Sequence, residues 1–337
     1  MDNNISMLFR DSTMFDYVVP VLSVLNQKGG VGKTTLSSII GEYASIHLGK
    51  RVLVVDLDMQ CNSSDYWVGM EVSPSAVGGQ LPPRHPDYDG DPTLEERSSI
   101  ADTFFGKAML PYPTHINPAN GFKGRVDVLM GHPERLELIN SEYDNKSGRI
   151  DSEVISRVGQ VIHDPELAAD YDLVLLDTGP SRNPVFRAAL RAATHVIVPF
   201  EPEEKSLQGI NAMLQAINSE NYSRATDNAV ELVGLLPNKV RIGTNLHLST
   251  LEMLQLELPD LMCPSDIYLP QATAFPERDI KGINPRSIFE IGKSHKARIA
   301  AEKVAEYILG KVLVSTEPTK TVEEIHQEDN EELLEIA

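Results

Sequence analysis

Residues Gln27-Lys-Gly-Gly-Val-Gly-Lys-Thr-Thr35 place three glycines, two lysines and two threonines between a short apolar run and a helical pattern. Glycines carry no side chain, so backbone N–H groups there can converge on phosphate oxygens. A helix that follows such a loop aims its positive end at the same oxygens. In this arrangement Lys33 contacts the β- and γ-phosphates of a nucleotide and the Thr34 hydroxyl ligates Mg²⁺. The candidate ATP-binding residues are therefore Lys28, Gly29, Gly30, Val31, Gly32, Lys33, Thr34 and Thr35. The strict pattern GxxxxGK[ST] needs glycine at position 27, where this chain has Gln27. With Lys28 it matches a different loop, KGGxGK[ST].

Two further sets of carboxylates lie where they can serve that loop. Asp56 and Asp58 end the apolar run Arg51-Val-Leu-Val-Val-Asp56. Beside bound phosphate, one can hold the water shell of Mg²⁺ and the other can orient an attacking water. Asp177 ends Asp172-Leu-Val-Leu-Leu-Asp177 and is the expected second anchor for the metal, with Thr34 and Asp56. The segment after it, Thr178 to Ser181, is then placed to sense the γ-phosphate.

These residues need a scaffold, and the apolar patterning supplies one. Strands are expected at Val18 to Leu25, Arg51 to Asp56, Asp172 to Asp177, His195 to Pro199 and Leu232 to Leu236. Helical spacing appears from Thr34 to Leu48, closed by Gly49, and again at Pro184 to Ala193 and Ser206 to Ile217. Unbroken apolar strands alternating with helices imply a single α/β domain of the P-loop NTPase kind. Its sheet is expected to be twisted and mostly parallel, with helices on both faces. Functional residues then belong at the carboxyl ends of the strands.

That domain is expected over residues 18–314, after an N-terminal extension (1–17) and before an acidic tail (315–337). Residues 72–124 are rich in Pro, Gly, Asp and Ser and are expected to form a long, partly mobile surface insertion. The tail carries eight acidic residues against Lys320. The stretch Pro270 to Val312 carries eight basic residues against five acidic ones, in a chain of net charge −19. Such a net charge argues against a protein that coats nucleic acid or anionic membrane with its whole surface, yet it leaves room for a local basic face.

No run of about 18 apolar residues is present, so no membrane span is expected. The start of the chain lacks the basic-then-apolar order of a secretory signal. Two cysteines, Cys61 and Cys263, are too few for a disulfide framework or a CxxC metal cluster, which fits a cytoplasmic protein.

Taken together, Asn26 to Thr35, Val55 to Asn62, Tyr171 to Asp177, Val198 to Pro202 and Gly234 to Lys239 resemble the ParA/MinD group of deviant Walker ATPases. The first motif is highly specific and the others support it. The resemblance implies a homodimer that sandwiches two ATP molecules, with Lys28 reaching the partner's phosphates. It also implies Asp58 as the residue that positions the hydrolytic water and Asn238 as an adenine reader. Lys28, Lys33 and Asp58 are thus the catalytic candidates, with ATP and Mg²⁺ as cofactors and slow hydrolysis that a partner protein speeds. The family usually has Pro and Gly where this chain has Met59 and Cys61, and often Pro-Pro where it has Gly179-Pro180.

Within the group, a MinD-like protein ends in a basic amphipathic helix that lies on a membrane, whereas this chain ends Glu-Glu-Leu-Leu-Glu-Ile-Ala. A reductase-like electron carrier needs two cysteines per subunit for a shared iron–sulfur cluster, and neither cysteine here resembles that placement. About 20 residues precede the first strand, too few for an N-terminal helix-turn-helix domain. The ParA branch remains. It implies a partitioning or cargo-positioning ATPase whose ATP dimer holds duplex DNA non-specifically, on the nucleoid, until a ParB-like or cargo adaptor protein triggers hydrolysis. The phosphate-directed DNA candidates are Arg241, Arg278, Lys281, Arg286, Lys293, Lys296 and Arg298. The alternative is an ATP-gated scaffold with little DNA affinity, docking a protein through the insertion.

Overall fold

The apolar runs of the sequence become the middle of one sheet. The computed structural model describes residues 18–143, 149–203, 205–224, 228–278, 280 and 287–314; the N-terminal extension and the acidic tail lie outside the described residues. In the first half of the chain the elements are β1 (Val21–Val24), α1 (Lys33–Ile46), β2 (Arg51–Leu57), α2 (Asn62–Trp67), β3 (Glu71–Val72), β4 (Gln80–Leu81), β5 (Tyr112–Pro113), β6 (Arg125–Leu129) and α3 (Pro133–Tyr143). There follow α4 (Arg149–Ile162), α5 (Pro165–Ala168), β7 (Leu173–Thr178), α6 (Pro184–Ala192), β8 (His195–Phe200), α7 (Ser206–Ser223), β9 (Glu231–Pro237), α8 (Asn245–Glu257), α9 (Ala274–Glu277) and α10 (Lys296–Val314).

The seven-stranded sheet has the order β5-β6-β2-β7-β1-β8-β9. Six strands run parallel, and only β5 pairs antiparallel, against β6. Alternate residues of β2 point to opposite faces, as strand geometry requires. Val52 and Val54 pack with α1 and α10, while Leu53, Val55 and Leu57 pack with α4 and α6. A third cluster joins α6 and α7 to β8 and β9. Helices therefore cover both faces, as expected. Each fully buried Val, Leu or Ile contributes roughly 1.5–3 kcal/mol, which is why these strands read as unbroken apolar runs.

Register does the functional work of the fold. Val24 lies opposite Asp177, and Asp177 lies opposite Asp56. The carboxyl ends of the three central strands therefore finish level, and the three loops that leave them meet at one point.

Two strands of this sheet go beyond the sequence expectation, as does the separate pair β3-β4. β6 (Arg-Val-Asp-Val-Leu) is short, and its Arg125 and Asp127 are only half-buried, so it lacks the unbroken apolar signature. β5 lies inside the stretch read as an insertion. Residues 72–124 contain mostly short elements and loops, and they are not all surface. Ile100, Tyr112 and Ile116 are fully buried, and the segment supplies the edge strand. Ser99 and Asp102 cap a short turn there, with Ser99 N–H donating to Asp102 Oδ2 (2.9 Å) and Ser99 Oγ to Oδ1 (3.0 Å). Arg135 of α3 pairs with the same carboxylate. Proline and glycine prevent long regular elements in this stretch, but they do not prevent packing.

Candidate functional site

The glycine loop leaves β1 and is pinned at its start, its middle and its end. Asn26 Nδ2 donates to the Pro199 carbonyl (2.8 Å), and Asn26 Oδ1 accepts from Lys28 N–H (2.8 Å). Further along, Asn238 Nδ2 donates to the Val31 carbonyl (2.7 Å) and Lys239 Nζ donates to the Gly30 carbonyl. Gly30 (φ 76°) and Gly32 (φ 84°) adopt left-handed backbone conformations. A Cβ at Gly32 would lie 2.3 Å from Asn238 Nδ2, so both the dihedral and the contact require glycine. The loop then enters α1 directly, and the first-turn amides of that helix face the site.

Lys33 is buried at the base of the loop, with Nζ 3.4 Å from the Lys28 carbonyl. Burial lowers its pKa, and the nearby Asp177 and Asp58 carboxylates oppose that shift. Lys28 is exposed and forms an ion pair with Glu203, whose carboxyl it holds below the usual range.

Asp56 and Asp177 face each other across β2 and β7, and both are buried. Burial, together with the other carboxylates, pushes both carboxyls above the usual range. Their hydrogen bonding differs. Asp56 Oδ2 accepts from Ser64 N–H and Ser64 Oγ (both 2.7 Å), and Oδ1 accepts from Asp58 N–H (3.1 Å). Asp56 therefore fastens the Asp58 turn and the start of α2 to the strand end. Neither oxygen of Asp177 accepts a hydrogen bond of normal geometry. The Thr34 hydroxyl favours its charged form but falls short of that geometry.

A buried carboxylate without donors is costly unless a cation completes it. A hydroxyl and carboxylates are the hard oxygen donors that suit Mg²⁺, which keeps several waters and takes few protein ligands. No group of three or more His, Cys, Asp or Glu that could hold a metal ion is found among the described residues. The residues present fit the ion.

Asp58 is half-buried, and its Oδ1 accepts from Gln60 N–H (3.0 Å). A Cβ at Gly179 would lie 3.2 Å from Asp58 Oδ1, a tight contact that the carboxylate would have to shift slightly to relieve. At Cys61 the chain departs the other way. It holds a left-handed conformation (φ 51°) with a residue that carries a side chain, where glycine would be relaxed. The Cys61 thiol is fully buried, and burial pushes its pKa up.

Gly29, Gly30, Gly32, Lys33, Thr34, Thr35, Asp58 and Asn238 line one cavity of about 790 Å³. The structure thus brings together the catalytic and nucleotide-binding candidates from three strand ends. The exceptions are Lys28, at the rim with Glu203, and Val31, buried beneath the loop. Both ends of the Asn238 amide already make internal hydrogen bonds, because its Oδ1 accepts from Lys239 N–H (2.8 Å). An adenine contact would use its second N–H or its second lone pair.

The described DNA candidates divide into buried and exposed residues. Arg278 is buried and pairs with Glu42 (2.8 Å). Arg298 is buried too; it pairs with Glu302 (2.8 Å) and donates to the Phe289 and Ile291 carbonyls. Neither side chain can reach a DNA phosphate, and both leave the candidate set. Lys281 and Arg286 lie outside the described residues. Arg241, Lys293 and Lys296 are exposed.

Sequence reasoning did not single out Lys239, Tyr66, Phe275 or Ser64. Lys239, on the loop after β9, and Phe275, on α9, are both distant in sequence from the glycine loop. Lys239 did have a local signal, since it ends the motif that contains Asn238.

Comparison with known proteins agrees with this geometry. Residues 22–285 match the CobQ/CobB/MinD/ParA nucleotide binding domain. The chromosome-partitioning ATPase Soj of Thermus thermophilus is 31% identical over 217 residues, covering 64% of this chain and 67% of Soj. A Cyanothece McdA variant in complex with ATP superposes with a TM-score of 0.61 at 16% identity, covering 88% of this chain and 98% of that one. Cobyrinic acid a,c-diamide synthase from Mycobacterium smegmatis, with a bound ATP analogue and magnesium, gives 0.57 at 22% identity, covering 86% and 93%.

Proposed function

This chain belongs to the CobQ/CobB/MinD/ParA nucleotide-binding family, and we propose that it is an ATP-hydrolysing switch of the partitioning or positioning kind. One observation carries the reading: Asp177, buried and accepting no hydrogen bond of normal geometry, stands beside buried Lys33 and half-buried Thr34, which belong to the glycine loop and the start of α1. That is an incomplete electrostatic site, and a nucleotide triphosphate with Mg²⁺ completes it. Thr34 and Asp177 would hold the ion, and Asp56 would act through water and by fixing the Asp58 turn and the start of α2. When bound, the ion supplies charge stabilisation at the β- and γ-phosphate oxygens.

The protein's own residues do the rest. Backbone N–H groups of residues 29–35 and Lys33 hold the phosphates. Asp58 accepts a hydrogen bond from the attacking water and orients it. Lys28 leaves Glu203 and reaches the phosphates of a second copy in an ATP-bound homodimer, so that dimerisation is the switched event. That dimer holds duplex DNA non-specifically through Arg241, Lys293 and Lys296. A ParB-like or cargo adaptor protein accelerates the slow hydrolysis, on the nucleoid in the cytoplasm. Among the described residues no helix is long and apolar enough to cross a membrane.

The test compares gel filtration and retention of non-specific duplex DNA for nucleotide-free, ADP and ATP forms, with Asp58→Ala as a trap for the ATP state. The expected result is a dimer that retains DNA only with ATP, and loses it on raising salt or on Lys28→Ala. ATP-loaded protein that stays monomeric and ignores DNA at low salt overturns the reading.

One observation favours the scaffold alternative. Gln80 Nε2, from the inserted segment, donates to the Gln60 carbonyl (2.9 Å), two residues from Asp58. A partner protein docked on the insertion would thereby touch the hydrolytic loop. Deleting the insertion tip would then abolish partner recruitment and spare basal hydrolysis.

A further inference from the structure

Beneath the cavity lies a polar cluster that the proposed catalytic scheme does not use. Glu42, Arg278, Tyr66 and Ser287 are all buried. Arg278 Nη2 donates to Glu42 Oε1 (2.8 Å), and Ser287 Oγ donates to Glu42 Oε2 (2.8 Å). The Tyr66 hydroxyl bonds to both Glu42 and Arg278, and the guanidinium lies over the Tyr66 ring at 4.7 Å.

The four residues come from parts of the chain that surround the nucleotide cavity. Glu42 is on α1, eight residues past Thr34, a distance of about 12 Å along the helix. Tyr66 is on α2, the helix that follows the Asp58 loop, and it lines the cavity itself. Arg278 caps α9, whose Phe275 and Pro276 also line the cavity, with Gln271, Ala272 and Thr273 just before them.

A buried ion pair of this kind is a poor source of stability, because desolvation consumes most of the Coulomb gain and apolar side chains of equal volume do as well. What it supplies is direction. Arg278 reaches both Glu42 and the Tyr66 hydroxyl through Nη2 and lies over the Tyr66 ring, and directed bonds of this kind fix angle and distance, which apolar contact does not.

We propose that the Glu42–Arg278–Tyr66 cluster is a coupling clasp that holds the cavity wall 270–276 and the Asp58-bearing loop to the helix of the phosphate loop. Glu42 and Arg278 are positioning residues, since they act on the nucleotide only through what they hold, and Tyr66 joins them to the cavity that it lines. Filling the cavity displaces the wall, the clasp carries that displacement to α2, and α2 sets the stance of Asp58. The inference rests on the nucleotide reading above.

The chain carries its own reporter. Trp67 is its single tryptophan; it is buried on α2, edge-on to Tyr66 at 5.2 Å and packed on Gly41 of α1. The experiment follows Trp67 emission and Mg·ATP affinity in wild type and in the all-apolar variant Glu42→Leu/Tyr66→Phe/Arg278→Met, with urea unfolding of both.

Wild type is expected to bind Mg·ATP with a change in Trp67 emission. The apolar variant is expected to keep a urea midpoint near wild type, to bind roughly tenfold more weakly, and to lose the emission change. An apolar variant with wild-type affinity and an intact Trp67 response overturns the clasp. Should that variant not fold, Tyr66→Phe alone decides: it removes one hydroxyl and keeps the ring and the ion pair. It is expected to weaken binding about threefold and to shrink the emission change, and unchanged values in both overturn the proposal. Wild type that binds no Mg·ATP at all sinks the nucleotide reading itself, a result distinct from either.

Discussion

The glycine loop with its carboxylates and the basic stretch from Pro270 to Val312 were both picked out by residue type, and the fold treats them in opposite ways. Around the loop, residues that follow β1, β2, β7 and β9 converge on one cavity. In the basic stretch, Arg278 and Arg298 turn inward to carboxylates and carbonyls, and Lys293 and Lys296 stay in solvent. Glycine spacing prescribes a backbone path, and the path places the atoms that bind. A count of arginines prescribes nothing about direction, because a long side chain can serve the core as readily as the surface.

The sharpest break of this contrast comes from Arg278. As half of a buried pair, Arg278→Ala should destabilise the fold by about 3–5 kcal/mol, read from urea unfolding. A variant of wild-type stability that loses only DNA retention would restore Arg278 to the DNA-contact set.

Next in size are the loop residues. Lys33→Ala should lower ATP hydrolysis on the order of 10²–10³-fold, and Asp58→Ala on the order of 10²-fold. Asp58→Ala should leave nucleotide affinity nearly unchanged, and phosphate release with equilibrium binding separates the two. Equal losses of affinity in both variants would mean that Asp58 shapes the pocket and does not position water.

A third test uses acidity. The Asp177 carboxyl sits above the usual range in the folded protein, through burial and the facing Asp56. The unfolded chain gives up that proton at ordinary carboxylate pH while the folded state keeps it, so stability of nucleotide-free protein falls as pH rises past that range. Asp177→Asn should flatten this fall, seen as urea midpoints that depend less on pH. An unchanged pH profile would show that another group sets the slope.

The smallest effect belongs to the basic surface. Each of Arg241→Ala, Lys293→Ala and Lys296→Ala should reduce the salt slope of DNA retention by about 1 and alter stability by less than about 0.5 kcal/mol. A slope that does not move removes that residue from the interface.

Much of the fold was legible because parallel strands buried on both faces leave unbroken apolar runs, and β2, β7 and β8 lie within a residue or two of their expected limits. β6 was hidden because Arg125 and Asp127, two of its five residues, are polar and only half-buried. Residues 72–124 read as surface because proline and glycine dominate their composition, while Ile100, Tyr112 and Ile116, which anchor them, are scattered singly.

By itself, the sequence determined the loop. A nine-residue motif contains its own geometry, since glycine dihedrals and a helix start are local properties. It also located Asp56, Asp58 and Asp177, because a polar residue ending an apolar strand marks the sheet edge where ligands bind. Only the tertiary structure decided how those carboxylates differ. Ser64 satisfies Asp56, nothing of normal hydrogen-bond geometry satisfies Asp177, and Asp58 lies close against Gly179. It likewise decided that Arg278 belongs to Glu42, 236 positions away. Partners that far apart in sequence meet through packing, and no local pattern encodes which side chain a buried charge will find.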